Sequence, residues 1–194
     1  NTKPLNTIYG FRTGLNQPSG IALNLNASDP NQDEILVANR GNNSLTGYTR
    51  VTPPSASGYA DASPLRTITA DGAGPDNTGL SSPCGIAVDS QNQEIFVTNS
   101  GNDSITVYDL YTSGASPLPT TGNIAPKRTI IGSATGLSAP CGIDIYHDPN
   151  DSTKDQIIVA NAGNDSISTF SRQADEDVTP VAGVAGATNT GIHK

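Results

Sequence analysis

The sequence predicts an all-β protein assembled from one repeated unit, a four-stranded antiparallel sheet. Three observations carry that expectation. The first is internal repetition, which constrains architecture before any residue-level reading. The second is that each repeat holds four short runs rich in Ile, Val, Thr and Tyr, bounded by Gly, Asn, Asp and Pro. Such runs read as strands and such boundaries as turns. The third is composition: 20 Gly and 14 Pro in 194 residues, with no Trp or Met, suit a turn-rich β protein. Repeated four-stranded antiparallel sheets are the grammar of a β-propeller, in which each sheet is one blade.

Each unit opens on Gly-Leu-x-x-Pro-x-Gly-Ile: Gly14 to Ile21, Gly79 to Ile86 and Gly136 to Ile143. The first strand follows, Gly20–Leu25 in the first unit. It is expected nearest the axis, where Gly20, Gly85 and Gly142 remove a Cβ from crowded backbones. Pro18, Pro83 and Pro140 sit at the strand start, where a missing N–H costs least. The second strand is Glu34–Asn39, with copies Glu94–Asn99 and Gln156–Asn161. It is apolar on both faces, as befits a strand sandwiched between neighbouring sheets. An Asn-x-Gly-Asn-x-Ser turn comes next, whose side chains can satisfy their own backbone. The third strand is Ser44–Thr49. The fourth, Leu65–Thr69, lies in the block Pro64-Leu65-Arg66-Thr67-Ile68, repeated as Pro126-Lys127-Arg128-Thr129-Ile130 and, degenerately, as Pro180-Val181-Ala182-Gly183-Val184. Arg66, Lys127 and Arg128 are expected to solvate an outer edge. The Ser/Thr/Pro/Gly-rich stretch Tyr111–Pro126 makes the units longer than the ~40–50 residues common in propeller repeats.

The chain therefore reads as one domain, 1–194, with repeats at about 14–78, 79–135 and 136–194. Residues 1–13 supply an additional outer strand, because Pro4–Gly10 matches the fourth-strand block. Thr190-Gly191-Ile192 matches Thr13-Gly14-Leu15, the beginning of another unit, and thirteen candidate strands result. Closed propellers typically hold four to eight blades. An arc of three would expose two apolar sheet faces, so completion by another chain is expected. Two chains could close a six-bladed ring, the chain could be a piece of a longer propeller, or head-to-tail contacts could build a fibre.

The pattern Gly85-Ile86-Ala87-Val88-Asp89, then Glu94-Ile95-Phe96-Val97-Thr98-Asn99-Ser100-Gly101-Asn102-Asp103-Ser104-Ile105, then Arg128-Thr129-Ile130 resembles NHL-type β-propeller repeats. The middle unit matches best; Asn24 and Tyr146 stand where it has Asp89. The resemblance covers nearly the whole chain and implies the propeller fold. For function it implies a binding platform, a lyase or a surface-protein module. A lyase of this class gathers several histidines and acids around the axis, whereas this chain has only His147 and His193. Both are read as solvated polar side chains, and a non-catalytic role is expected.

Ten Lys and Arg against 18 Asp and Glu leave a net charge of −8, which repels phosphate backbones and disfavours nucleic-acid binding. No run approaches the ~20 apolar residues of a membrane-spanning helix. An acidic, Lys-poor, Asn/Thr/Ser/Gly-rich composition suggests an extracellular or cell-surface protein. Cys84 and Cys141 occupy equivalent repeat positions and suggest one disulfide in that compartment, with buried thiols as the alternative. Asp29, Asn31 and Asp33, and again Asp148, Asn150 and Asp155, cluster oxygen ligands that calcium could use, or else form polar hairpin turns; no other cofactor is implied. Glycosylation sequons stand at Asn26, Asn42, Asn102, Asn150 and Asn164. The function expected is a self-assembling structural or scaffold subunit, with itself as partner in a homo-oligomer or filament. The alternative is a protein- or glycan-binding module within a longer propeller.

Overall fold

A computed structural model describes residues 2, 4, 7–25, 33–50, 59–70, 72, 74–111 and 121–185. The strands are β1 (Thr7–Ile8), β2 (Pro18–Asn24), β3 (Glu34–Asn39), β4 (Ser44–Thr49), β5 (Tyr59–Ala60), β6 (Arg66–Ile68), β7 (Pro83–Asp89), β8 (Glu94–Asn99), β9 (Ser104–Asp109), β10 (Arg128–Ile130), β11 (Pro140–Tyr146), β12 (Gln156–Asn161), β13 (Ser166–Ser171) and β14 (Ala182–Ala185). They form three four-stranded antiparallel sheets, β2-β3-β4-β6, β7-β8-β9-β10 and β11-β12-β13-β14, and a two-stranded parallel pair, β1-β5. The chain is all-β, and the expected strands lie within two residues of where the repeat places them. The degenerate block at Pro180 still pairs, with Val184 opposite Ile167. A 3₁₀ turn at Ser152–Lys154 lies outside the expected pattern.

The sheets stand side by side, with β2, β7 and β11 adjacent. Each has a forward face, toward the next sheet, and a rear face, toward the previous one. Between the first and second sheets, Leu36, Ala38, Leu45 and Ile68 pack on Leu80, Ile86, Ile95, Val97 and Tyr108. Between the second and third, Ala87, Phe96, Ile105, Val107 and Ile130 pack on Leu137, Ile157, Val159 and Phe170. β8 contributes to both clusters, and all six of its residues are buried. This explains why the second strand is apolar on both faces: removing its surface from water on two sides is the main driving force available to it.

Along β2, β7 and β11 the backbones almost touch. A Cβ on Gly20 would collide with the carbonyl oxygen of Cys84, and one on Gly85 with that of Cys141. Ser19 Oγ donates to Pro83 O at 2.8 Å, and Thr98 Oγ1 donates to Cys141 O at 2.8 Å. Cys84 and Cys141 are joined in a disulfide across this contact, with Cα atoms 4.9 Å apart. The repeat thus substitutes a hydrogen-bonded Ser19 at one junction for a covalent bond at the next.

The asparagines ending the second strands serve structure. Asn39, Asn99 and Asn161 accept from the backbone N–H of Asn16, Ser81 and Ser138, and donate to Thr46, Thr106 and Ser168. Each ties a strand end to the loop that opens its own unit. At the turn tips Asn43, Asp103 and Asp165 adopt positive φ, near 50°, which Asn and Asp tolerate better than most residues.

β1 occupies a position that the repeat identifies. Ile8 pairs in parallel with Ala60 as Ile68 pairs with Gly122 and Ile130 with Glu176. The N–H of Arg12 donates to Asp61 as that of Ala134 donates to Asp177. β1 therefore lies where the fourth strand of a preceding sheet would lie, as the match of Pro4–Gly10 to the outer-strand block suggests.

Candidate functional site

Two surfaces stand out: the rear face of the first sheet and the forward face of the third. Their residues are register equivalents of side chains buried at the junctions. Ile86 is 6% exposed, while its equivalent Ile21 is 68% exposed; Ile105 is fully buried, while Ile167 is 47% exposed. Leu23 and Leu25 extend the first surface, and Ile158 and Val184 the second. The first surface contains a groove of about 430 Å³ lined by Ile8, Leu15, Ile21, Ile35, Val37 and Tyr48.

Charged groups rim the junctions. Glu34 on the forward face of the first sheet receives Nε and Nη2 of Arg66, each at 2.7 Å. Arg66 Nη1 donates across the junction to Leu110 O, and its guanidinium lies over the Tyr111 ring. Arg66 is therefore buried, not an edge-solvating side chain; the edge role expected for it is corrected by the carboxylate facing it two strand pairings away. Arg128 repeats the arrangement with Glu94 at 2.8 Å. Lys127 remains half-exposed beside Asp109 and Glu94.

The second junction adds a cation from the next sheet. Arg172 Nη1 donates to Glu94 Oε2 at 2.7 Å. Burial pushes the Glu94 carboxyl up, but the hydrogen bonds and charges of Arg128 and Lys127 outweigh it and hold the group below its ordinary value. His147 also lies at this rim. Its Nδ1 is 2.9 Å from Asp155 and its Nε2 3.6 Å from Asp89 across the junction. The solvated reading of His147 is thereby corrected: the ring joins β11 to the acidic end of β7. The missed signal was register, since His147 follows the position equivalent to Asp89.

The residues of the second calcium candidate make local contacts. Asp155 faces the His147 ring and the Arg172 guanidinium and accepts from Asp148 N–H. The His147 hydrogen bond holds its carboxyl below the usual range. Asp148 Oδ1 accepts from the N–H groups of Asn150 and Asp151. These oxygens cap a turn and face the His147 ring and the Arg172 guanidinium. Among the described residues no group of three or more His, Cys, Asp or Glu side chains is placed to hold a metal ion. Asp33 pairs with Arg50 at 2.7 Å. Asn42, Asn102 and Asn164 are exposed at turn tips and accept from Ser44, Ser104 and Ser166. Asn150 is exposed in the capped turn. Asn26, Asp29, Asn31, His193 and Thr190–Ile192 lie outside the described residues.

The groove along the innermost strands, about 460 Å³, is lined in part by Ile21, Leu23, Ile86, Val88, Ile143 and Ile145. Ser90, Gln91, Asp144 and His147 lie along the same groove. No helix among the described residues is long and apolar enough to cross a membrane.

No family model matches the chain, and no curated protein matches it either. Solved structures do. A protein of unknown function from Desulfotomaculum acetoxidans aligns over 88% of this chain and 43% of its own, at 18% identity and TM-score 0.48. The autoinhibited apo state of ctPRC2 aligns over 87% and 38%, at 12% identity and TM-score 0.51. Hydrazine synthase from Kuenenia stuttgartiensis aligns over 92% and 51%, at 15% identity and TM-score 0.40. The ctPRC2 likeness is one of fold alone. This chain spans about half or less of the length of these structures.

Proposed function

We propose that this chain is a non-catalytic, extracellular β-propeller module of NHL type, whose three sheets are blades and whose work is structural. It joins other blades through its two end faces and so forms part of a larger scaffold. The observation carrying this reading is the pairing of Ile86 with Ile21 and of Ile105 with Ile167: one repeat position is buried at a junction and bare at an end. Contiguous apolar surface rimmed by charge marks an interaction face. The disulfide at Cys84–Cys141 suits an oxidising compartment. The titratable groups gathered at the second junction are engaged in ion pairs between sheets, which favours a load-sharing role over chemistry.

The test is dye binding to the isolated chain. An apolar-surface dye should bind the native protein, and Ile21→Asp and Ile167→Asp should each reduce the signal while leaving the melting temperature within a few degrees. Absence of dye binding, or unfolding of both variants, would show that the faces are internal and would end this reading.

A further inference from the structure

The second junction holds a buried donor that reaches no acceptor directly. Arg172 is 9% exposed, and among the described residues its Nε has no hydrogen-bond partner. A buried N–H left unsatisfied is costly, so such a group marks a place where something else binds. Its neighbour Nη1 donates across the junction to Glu94 Oε2.

Two carboxylates flank the Nε. Asp89 Oδ2, on the second sheet, and Asp155 Oδ2, on the third, each lie 3.8 Å from it. Both aspartates are buried. That separation is too long for a hydrogen bond and short enough for one water to join the two atoms, standing about 2.8 Å from each. The oxygens keep capacity for it. Among the described residues Asp89 Oδ2 accepts from Asn92 Nδ2, and Asp155 Oδ2 faces His147 Nδ1, whereas a carboxylate oxygen has room for two donors.

Chemistry narrows the occupant. An anion would meet two buried carboxylates, and a cation would meet a guanidinium. The position requires an acceptor toward the Nε–H and donors toward the aspartates, and water supplies both from one atom. Arg128 Nε is also without a partner, but Arg128 makes its ion-pair contact with Glu94 alone, so no pair of carboxylates flanks it.

The first junction is built differently at the corresponding place. Asn24, the register equivalent of Asp89, donates there to the Tyr111 hydroxyl of the second sheet at 3.0 Å. In the third repeat Arg172 stands at the position of Leu110, and Gln173 at that of Tyr111. Gln173 is exposed, so no aromatic ring fills the second junction at this point. We propose that the second junction binds one structural water, which accepts from Arg172 Nε–H and donates to Asp89 and Asp155. It joins the second sheet to the third through solvent, where the first junction uses Tyr111. The site stands apart from the end faces and does not depend on what they receive.

Two measurements on the full chain test this. In a high-resolution crystal structure an oxygen should lie about 2.6–3.2 Å from Arg172 Nε and from one carboxylate oxygen of each aspartate. In solution, Arg172 Hε should give a cross-peak to water with the sign of dipolar cross-relaxation, not of chemical exchange. Arg66 Nε donates directly to Glu34 Oε1, so Arg66 Hε should give none and serves as the control. Asp89→Ala removes one acceptor and should abolish the Arg172 cross-peak; circular dichroism checks its fold, and the unaltered chain decides the matter if that variant does not fold. A direct hydrogen bond from Arg172 Nε to either carboxylate with no oxygen between them would overturn the proposal. So would absence of the Arg172 cross-peak in the unaltered chain, or a peak unchanged in a folded Asp89→Ala variant. Density at this place that rises when rubidium replaces sodium in the crystal buffer would identify a cation and overturn it as well.

Discussion

Replacing glycine by alanine at three equivalent positions measures the junction geometry directly. At Gly85 the new methyl meets the Cys141 carbonyl oxygen and, at 2.9 Å, Thr98 Oγ1. At Gly20 it meets the Cys84 carbonyl and, at 3.1 Å, the Cα of Gly85. Both obstacles are backbone, held by packed sheets, so neither can rotate away. At Gly142 the nearest atom is the Ala160 Cβ at 3.4 Å, an ordinary contact within the same sheet. None of the three has positive φ, so alanine fits each backbone. Overpacking costs about 1–3 kcal/mol. Alanine in place of a strand glycine returns about 0.5–1 kcal/mol. The contacts under 3 Å with fixed backbone put Gly85→Ala and Gly20→Ala at the upper end of that cost, for a net loss of about 2 kcal/mol, and Gly142→Ala should be neutral or gain up to about 1 kcal/mol. For a chain of this size each kcal/mol moves the melting temperature by about 2–4 °C. Urea unfolding followed by circular dichroism reads the differences. Equal losses at all three glycines would mean that another sheet covers the third sheet's forward face. A neutral Gly85→Ala would mean that the innermost strands do not approach as described.

The remaining predictions concern the junctions. C84S/C141S opens a loop of 57 residues, and the chain-entropy relation puts the loss at up to about 4 kcal/mol; unfolding with and without reductant checks it. Arg66→Ala strands the Glu34 carboxylate in a buried site and should cost about 3–5 kcal/mol, whereas R66M/E34Q should recover most of that; denaturant midpoints decide. Glu94 and Asp155 have native pKa values below their ordinary ones. Their stabilisation is thus fully present above the unfolded-state values near 4 and is lost as pH falls through the lower native values. Glu94→Gln should flatten the fall in stability below about pH 4.5, and an unchanged slope would remove Glu94 from that role.

The covalent repeat determined most of this architecture. Strand boundaries, the sandwiched second strand and the glycines of the innermost strands all follow from positions recurring along the chain, which also place Cys84 and Cys141 at equivalent points; that they are bonded is decided by the close approach of β7 and β11. Local turn chemistry and the need to bury both faces of Ile95-Phe96-Val97 leave few alternatives. The role of charged residues was not legible in the same way. Arg66 looks like an outer-edge cation in the sequence and becomes buried only because Glu34 lies across two strand pairings. His147 reads as a solvated side chain in the sequence until Asp155 and Asp89 are brought beside its ring. A charge takes its energy from its neighbours and its dielectric surroundings, and residues distant along the chain supply both. The two end faces show the same division. Their apolar pattern is written in the repeat, but only the stacked sheets reveal which copies of that pattern are covered and which are bare.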